Sequence, residues 1–239
     1  MQDRRSSPTH SCSNKLLARL PAADYRHISS VLEPVSFSLG DVLLTPGDVL
    51  DRVYFPGNGV CSITQIMRNG RTIEVATVGN EGFIGINALF GARRWSAGAL
   101  VKIPDNAAHV MSINAFRCEV NRRRAFATLA NRYAQGLVAS LMRSVACNGL
   151  HSANERCARW LLTTRDRVGR DEFPLTQEFL ALMLGVRRPT VTLALAALQR
   201  RHLIEYGHRR VVILDRRGLQ AVSCECYSAL KSHLVTLFS

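Results

Sequence analysis

No apolar run in this chain of 239 residues approaches the roughly 20 residues that span a bilayer as a helix, so no membrane partner is expected. The first fifteen residues carry basic side chains but no apolar core after them, which does not fit a secretory signal. Residues 1–14 read instead as a disordered tail, and the cytoplasm is the expected compartment. The seven cysteines include no CxxC pair and no zinc-ribbon spacing, which leaves no metal site legible and suggests scattered free thiols. Cys224-Glu225-Cys226 is the one close pair, for which a metal or redox role stays open. The seven histidines contain no His-x-His pair, so a metal-dependent cupin is not supported. There is no GxSxG, P-loop or dinucleotide fingerprint. No enzyme and no cofactor are expected.

Acidic residues are also scarce: 18 Asp and Glu stand against 31 Lys and Arg, a formal net charge of +13. The imbalance is uneven. Residues 1–120 hold 12 basic and 10 acidic side chains, whereas residues 121–239 hold 19 and 8. A basic excess gathered in one half suits a polyanion, because each cation placed on a phosphate releases condensed counterions.

Three stretches differ in pattern. Residues 15–120 open with short helices interrupted by Pro21 and continue with alternating apolar residues (Val35, Phe37, Leu39; Val53, Phe55; Ile73, Val75; Val101, Ile103). Turn signals recur between them, as in an all-β sandwich or barrel. Asn69-Gly70 predicts a type I′ hairpin turn. Ser112 is placed to cap a short helix, and Asn121 a longer one running to about Leu150. Phe126, Leu129, Tyr133, Leu137, Leu141 and Val145 recur every three or four residues along it, with Ala130, Ala134, Val138 and Met142 widening the stripe. A helix of about 42 Å at 1.5 Å per residue exceeds what one small core needs. It reads as a dimerisation helix over 121–151, with a plain core helix as the alternative.

The last stretch, 152–239, holds the sharpest motif. Glu155–Arg167 is amphipathic. After it, Gln177 opens a helix whose fifth position is the small Ala181 and whose ninth is Gly185, with Leu180, Leu184, Val186, Val191 and Ala194 as apolar locks. That spacing predicts a helix-turn-helix. Pro189 fits the first turn of the second helix, whose amides have no intrahelical acceptor. Arg187, Arg188, Thr190 and Thr192 would be exposed near its start, the arginines suited either to guanine edges or to phosphates. Thr176 would cap the first helix toward a phosphate, beside Gln177. Arg209 would tip a two-stranded wing.

Taken in order, LTPGDVLDRVYFPGNGVCSI, GNEGFIGINALFG, the long helix and LTQEFLALMLGVRRPTVTLALAALQRRHLI resemble the Crp/Fnr family of bacterial transcription regulators from Leu16 to Leu219. The resemblance implies an α+β chain: a jelly-roll-like double-stranded β-helix barrel as sensor domain (15–120), a dimerisation helix, and a winged helix-turn-helix (152–239). It implies a homodimer on a two-fold-related site in double-stranded DNA, with RNA polymerase a further candidate partner. The effector is unknown. Cyclic-nucleotide-binding relatives carry a Glu and an Arg where this chain has Ile86 and Trp95. Within Gly85-Ile86-Asn87 and Trp95-Ser96-Ala97, Ile86 cannot accept from a ribose hydroxyl and Trp95 cannot neutralise a phosphate. Arg94 and Ser96 compensate only in part, so cyclic AMP activation is not expected. Only Cys12 lies where an N-terminal iron–sulfur cluster would need several cysteines, and His109 is a haem ligand by composition alone. Relatives also carry Glu and Arg at the positions of Pro189 and Leu193, so their half-site does not transfer. The alternative is a small-anion or nucleotide sensor beside Arg93 and Arg94 for which DNA is secondary.

Overall fold

The computed structural model describes residues 12–237, with side chains to 232; the expected tail falls largely on residues 1–11, outside them. Its last residue is no tail. Asn14 is fully buried, its amide donating to the carbonyls of Pro56 and Gly82 at 2.8 Å each and its Oδ1 accepting from the Leu17 amide.

After α1 (Ala22–Ser29) come seven antiparallel strands: β1 (Glu33–Phe37), β2 (Val42–Leu44), β3 (Arg52–Phe55), β4 (Val60–Ile66), β5 (Thr72–Val78), β6 (Gly98–Ile103) and β7 (Asp105–Ser112). They form two sheets, ordered β1-β7-β3 and β2-β6-β4-β5. Alternation turns Val53, Phe55 and Met111 of one sheet and Leu44, Cys61, Ala99 and Val101 of the other into a single core, the inward faces that a period of two supplies. This is the expected jelly-roll-like barrel. The β4–β5 turn differs in type. Gly70 has φ +76° but Asn69 is not left-handed, and the Gly70 amide donates to Met67. That is a type I turn closed by a left-handed glycine, in which Asn69 Oδ1 accepts from the Arg71 amide, not a type I′ pair.

Ser112 caps α2 (Ile113–Arg122) by accepting from the Ala115 amide. The long helix α3 runs Arg124–Leu150, so Asn121 lies inside α2 and does not cap α3. The break falls at Arg123, held extended by its own side chain, which donates to Glu119 at 2.8 Å and Asp24 at 2.9 Å. Ser152 and Glu155 make a reciprocal capping box on α4 (Ala153–Val168), satisfying two otherwise unpaired amides.

A second core lies mainly in the C-terminal part. It contains β8 (Glu172–Pro174), α5 (Gln177–Leu184), α6 (Arg188–Arg200), β9 (Ile204–Gly207), β10 (Arg210–Ile213), α7 (Arg216–Ala221) and α8 (Cys226–Leu237). The wing has three strands, ordered β8-β10-β9, one more than expected: Glu172–Pro174 is too short and polar to announce itself but pairs along β10. No single helix among the described residues is long and apolar enough to cross a membrane.

Candidate nucleic-acid interface

The helix pair is built by local rules. Thr176 accepts from the Phe179 amide at 3.1 Å and starts α5. Gly185 ends it at φ +61°, a conformation a side chain resists, and α6 leaves at 104° to α5, the crossing expected of a helix-turn-helix. Arg187 and Pro189 provide the extended N-cap and first turn of α6. Leu180, Leu184, Val191 and Ala194 are buried in the core as spacing predicts, while Ala181 and Val186 pack at its edge. From α4, Arg156 Nη1 donates to the Leu184 carbonyl at 3.0 Å and to Asn148 Oδ1 at 2.8 Å. One guanidinium thus closes the end of α5 and holds it to the long helix.

The proposed DNA-facing residues divide between two faces. Arg188 and Thr192, one turn apart and exposed, gather on Gln177: its Oε1 accepts from Thr192 Oγ1 at 2.8 Å and from Arg188 Nε at 3.4 Å. Arg188 also pairs with Glu178 at 3.1 Å. Both partners are more than 60% exposed, so the pair is weakly held and the guanidinium is free to exchange carboxylate for phosphate or base. Arg187 and Thr190 instead border a groove shared with Met67, Arg71 and Ile73 of the β4–β5 hairpin. Leu193, singled out in the sequence only as a departure from the relatives' Arg, is an apolar side chain 71% exposed beside Thr192. Its signal is a leucine outside the buried stripe of Val191, Ala194, Leu195 and Leu198.

At the wing tip His208 and Arg209 both have positive φ, 49° and 60°, and Gly207 pairs with Arg210. This two-residue turn is of the I′ kind that tight hairpins favour, without the Asn-Gly that makes it cheap. Side chains held left-handed cost roughly 1–2 kcal/mol each. The turn keeps a cation at the apex at the expense of that strain.

The sensor residues divide between the barrel core and its surface. Gly85 (φ +99°) begins a short 3-10 helix, Ile86–Phe90, in which Ile86 packs against the barrel core and Asn87 is half-buried. Trp95 is buried inside the barrel, its Nε1 without a partner. Ser96 is exposed, and so is Arg94, which donates outward to the Gly47 carbonyl at 2.6 Å. The aromatic ring is in the core, and the neighbouring Arg94 and Ser96 lie outside it.

The stripe on α3 is also split. Phe126, Leu129 and Tyr133 are buried in this chain's own core and offer nothing to a partner. Leu137 and Leu141 are half-buried. Val138, Met142 and Val145 are 50%, 69% and 74% exposed, spaced i, i+4, i+7 along one face.

Barrel and helix-turn-helix are fastened together. Arg167 of α4 reaches the barrel, pairing with both Glu81 oxygens at 2.7 and 3.1 Å and donating to the Thr77 hydroxyl and carbonyl. Asn80 in turn donates to the Arg167 carbonyl at 2.7 Å. Lys102 Nζ lies 4.5 Å over the Phe179 ring. Glu74 adds a titrating group, its Oε2 buried without a partner. Burial raises its carboxyl to about 8, opposed by smaller contributions from Ser62, Arg167, Lys102 and Arg159. Because the folded state keeps a proton that the unfolded chain releases near pH 4.5, stability should fall as pH rises from about 4.5 to 8. Glu74→Gln is expected to flatten that slope in a thermal-melting series from about pH 5 to 8.5; parallel profiles for the two proteins would refute it.

The expectation of scattered thiols fails at one point, where the fold gathers Cys147, Cys224 and Cys226 with His151. They lie apart from the two faces of α6.

A model of the Crp-like helix-turn-helix domain matches residues 155–222, and one of the cyclic nucleotide-binding domain matches residues 34–109. The transcriptional regulator SdrP of Thermus thermophilus is 27% identical over 209 residues, covering 82% of this chain and 96% of that protein. The nitrogen fixation regulation protein FixK of Bradyrhizobium diazoefficiens is 23% identical over 227 residues, 90% and 94% of the two chains. The solved structure of FixK2 from Bradyrhizobium japonicum shares the fold at a TM-score of 0.70 and 17% identity, covering 81% of this chain and 98% of that one. With a cyclic nucleotide-binding domain before the long helix and a Crp-like helix-turn-helix domain after it, this chain has the domain composition of a Crp/Fnr-type transcription regulator.

Proposed function

We propose that the chain binds a two-fold-related site in double-stranded DNA as a homodimer, with the N-terminal half of α6 in the major groove. The observation that carries this reading is the exposed start of α6: Arg187, Arg188, Thr192 and Leu193 stand out from a helix set at 104° to a capped, buried partner. Arg188 is the residue for a guanine edge. Thr176 and Gln177 bring the amides at the start of α5 to a phosphate, and Arg209 meets the backbone from the wing. Arg187 and Thr190 join the interface once the β4–β5 hairpin leaves the groove they share. The role is regulatory, not catalytic, in the cytoplasm, with RNA polymerase the machinery it would act upon. With Trp95 in the barrel core and Ile86 at the ribose position, cyclic AMP is not the proposed signal.

Selection of bound fragments from genomic DNA at about 150 mM salt, where nonspecific attraction is screened, should return a palindrome with half-sites about one helical turn apart. On that site Arg188→Ala should cost about 1–3 kcal/mol per half-site and relax preference at one base pair, while Arg94→Ala leaves affinity unchanged. Unaltered binding by Arg188→Ala would remove α6 from the groove. An affinity that follows Arg94 would favour the anion-sensor reading.

A further inference from the structure

α3 ends at Leu150 with His151 as its C-cap, and the Cys-Glu-Cys tripeptide stands at the start of α8, about 75 residues away along the chain. The fold brings them together. Cys147 Sγ lies 3.6 Å from Cys224 Sγ, and Cys226 Sγ lies 3.8 Å from His151 Nδ1. One ligand atom from each of these four residues falls within 4.8 Å of every other. The three cysteines are 0%, 4% and 1% exposed and form a small cluster outside both hydrophobic cores.

We propose that Cys147, His151, Cys224 and Cys226 bind one zinc ion. With bonds of about 2.3 Å to sulfur and 2.0–2.1 Å to nitrogen, a tetrahedral ion holds sulfurs about 3.8 Å apart and sulfur and nitrogen about 3.6 Å apart. The Cys147–Cys224 and Cys226–His151 separations lie within about 0.2 Å of those values. A disulfide needs about 2.05 Å between sulfurs and would leave a third thiol and an imidazole converging on nothing. An iron–sulfur cluster would spread the ligands over two or more metal ions. Thiolate and imidazole ligands select zinc over magnesium or calcium.

The surroundings of the histidine fit the same reading. His151 Nε2 lies 3.1 Å from Glu225 Oε2, the carboxylate partner that fixes an imidazole so its other nitrogen faces a metal. Four protein ligands leave no open position, so the ion is structural. On loading, the three thiols release three protons to solvent and the site carries one net negative charge. The site ties the last turn of the long helix to the start of α8, the second helix after the wing. It sits beside the Leu150–Ala153 connection, on which the DNA-binding domain is carried.

The test uses the full chain produced in zinc-supplemented medium. Elemental analysis should find about one zinc per chain, retained in Cys118→Ser, which lies outside the cluster, and lost in Cys226→Ser and His151→Ala. Because those variants could misfold, the native chain is also stripped by a chelator and titrated with Co²⁺. Intense visible bands of tetrahedral thiolate coordination should appear and be bleached by zinc. The stripped chain should melt lower and recover on zinc addition. Substoichiometric zinc without cobalt bands would overturn the proposal. So would a Cys147–Cys224 disulfide found by peptide mass in the purified chain, or full zinc content in both variants.

Discussion

A chain carrying Met142→Asp is expected to sediment as a monomer and to lose about 10²–10⁴-fold in affinity for a palindromic site, the avidity that two linked half-sites provide. Val138, Met142 and Val145 are the apolar face that α3 leaves exposed, and 27 residues make it far longer than the barrel requires. A carboxylate placed in a seam formed with the same face of a second copy would be buried unpaired. The choice of position matters. Leu137 is half-buried within the chain, lining a cleft with Tyr133 and Arg167, so Leu137→Asp would disturb the fold along with any interface. Met142 is 69% exposed, and its replacement should leave the monomer intact by circular dichroism. An unchanged dimer mass for Met142→Asp would place the subunit contact elsewhere.

Arg167→Ala should be the most destabilising of the substitutions considered, by about 3–5 kcal/mol, because it leaves a buried carboxylate uncompensated. The Glu81 and Arg167 side chains are 6% and 13% exposed, so solvent cannot take over. The guanidinium also satisfies the Thr77 hydroxyl and carbonyl. The double substitution Glu81→Gln with Arg167→Met should recover much of the loss, since the charge cost disappears with the pair. Denaturant unfolding of the single and double variants decides between this account and one in which Arg167 only packs: in the latter, restoring bulk by Arg167→Met alone would suffice. The clamp also joins α4 to the barrel, so the single variant should free the helix-turn-helix from it, seen as faster amide exchange in α5 than in the barrel core.

What the sequence revealed and withheld follows from the range of the interactions involved. Thr176, Ala181, Gly185 and Pro189 announce the helix-turn-helix because caps, turns and crossing points are local, each set by a few neighbouring residues. Alternation in 35–112 announces the barrel because strand faces have a period of two. Asn69-Gly70 misled as to turn type because Asn does not compel positive φ, and Asn69 bonds the Arg71 amide instead. His208-Arg209 carries no such signal and adopts positive φ at both residues, imposed by the pairing of β9 with β10.

By itself the sequence determined the element order, the apolar faces, the basic C-terminal half and the identity of the residues that open α6. Only the tertiary structure decided which part of the α3 stripe is spoken for by the chain's own core, that Trp95 turns inward while Arg94 turns out, that Arg167 meets Glu81, and that Cys147 and His151 meet Cys224 and Cys226. The reason is physical. Helical and strand periodicity fix which face of an element is apolar, but not which partner covers it. Contacts between residues some 75 to 90 positions apart arise only when separate elements have packed, and no spacing along the chain encodes them.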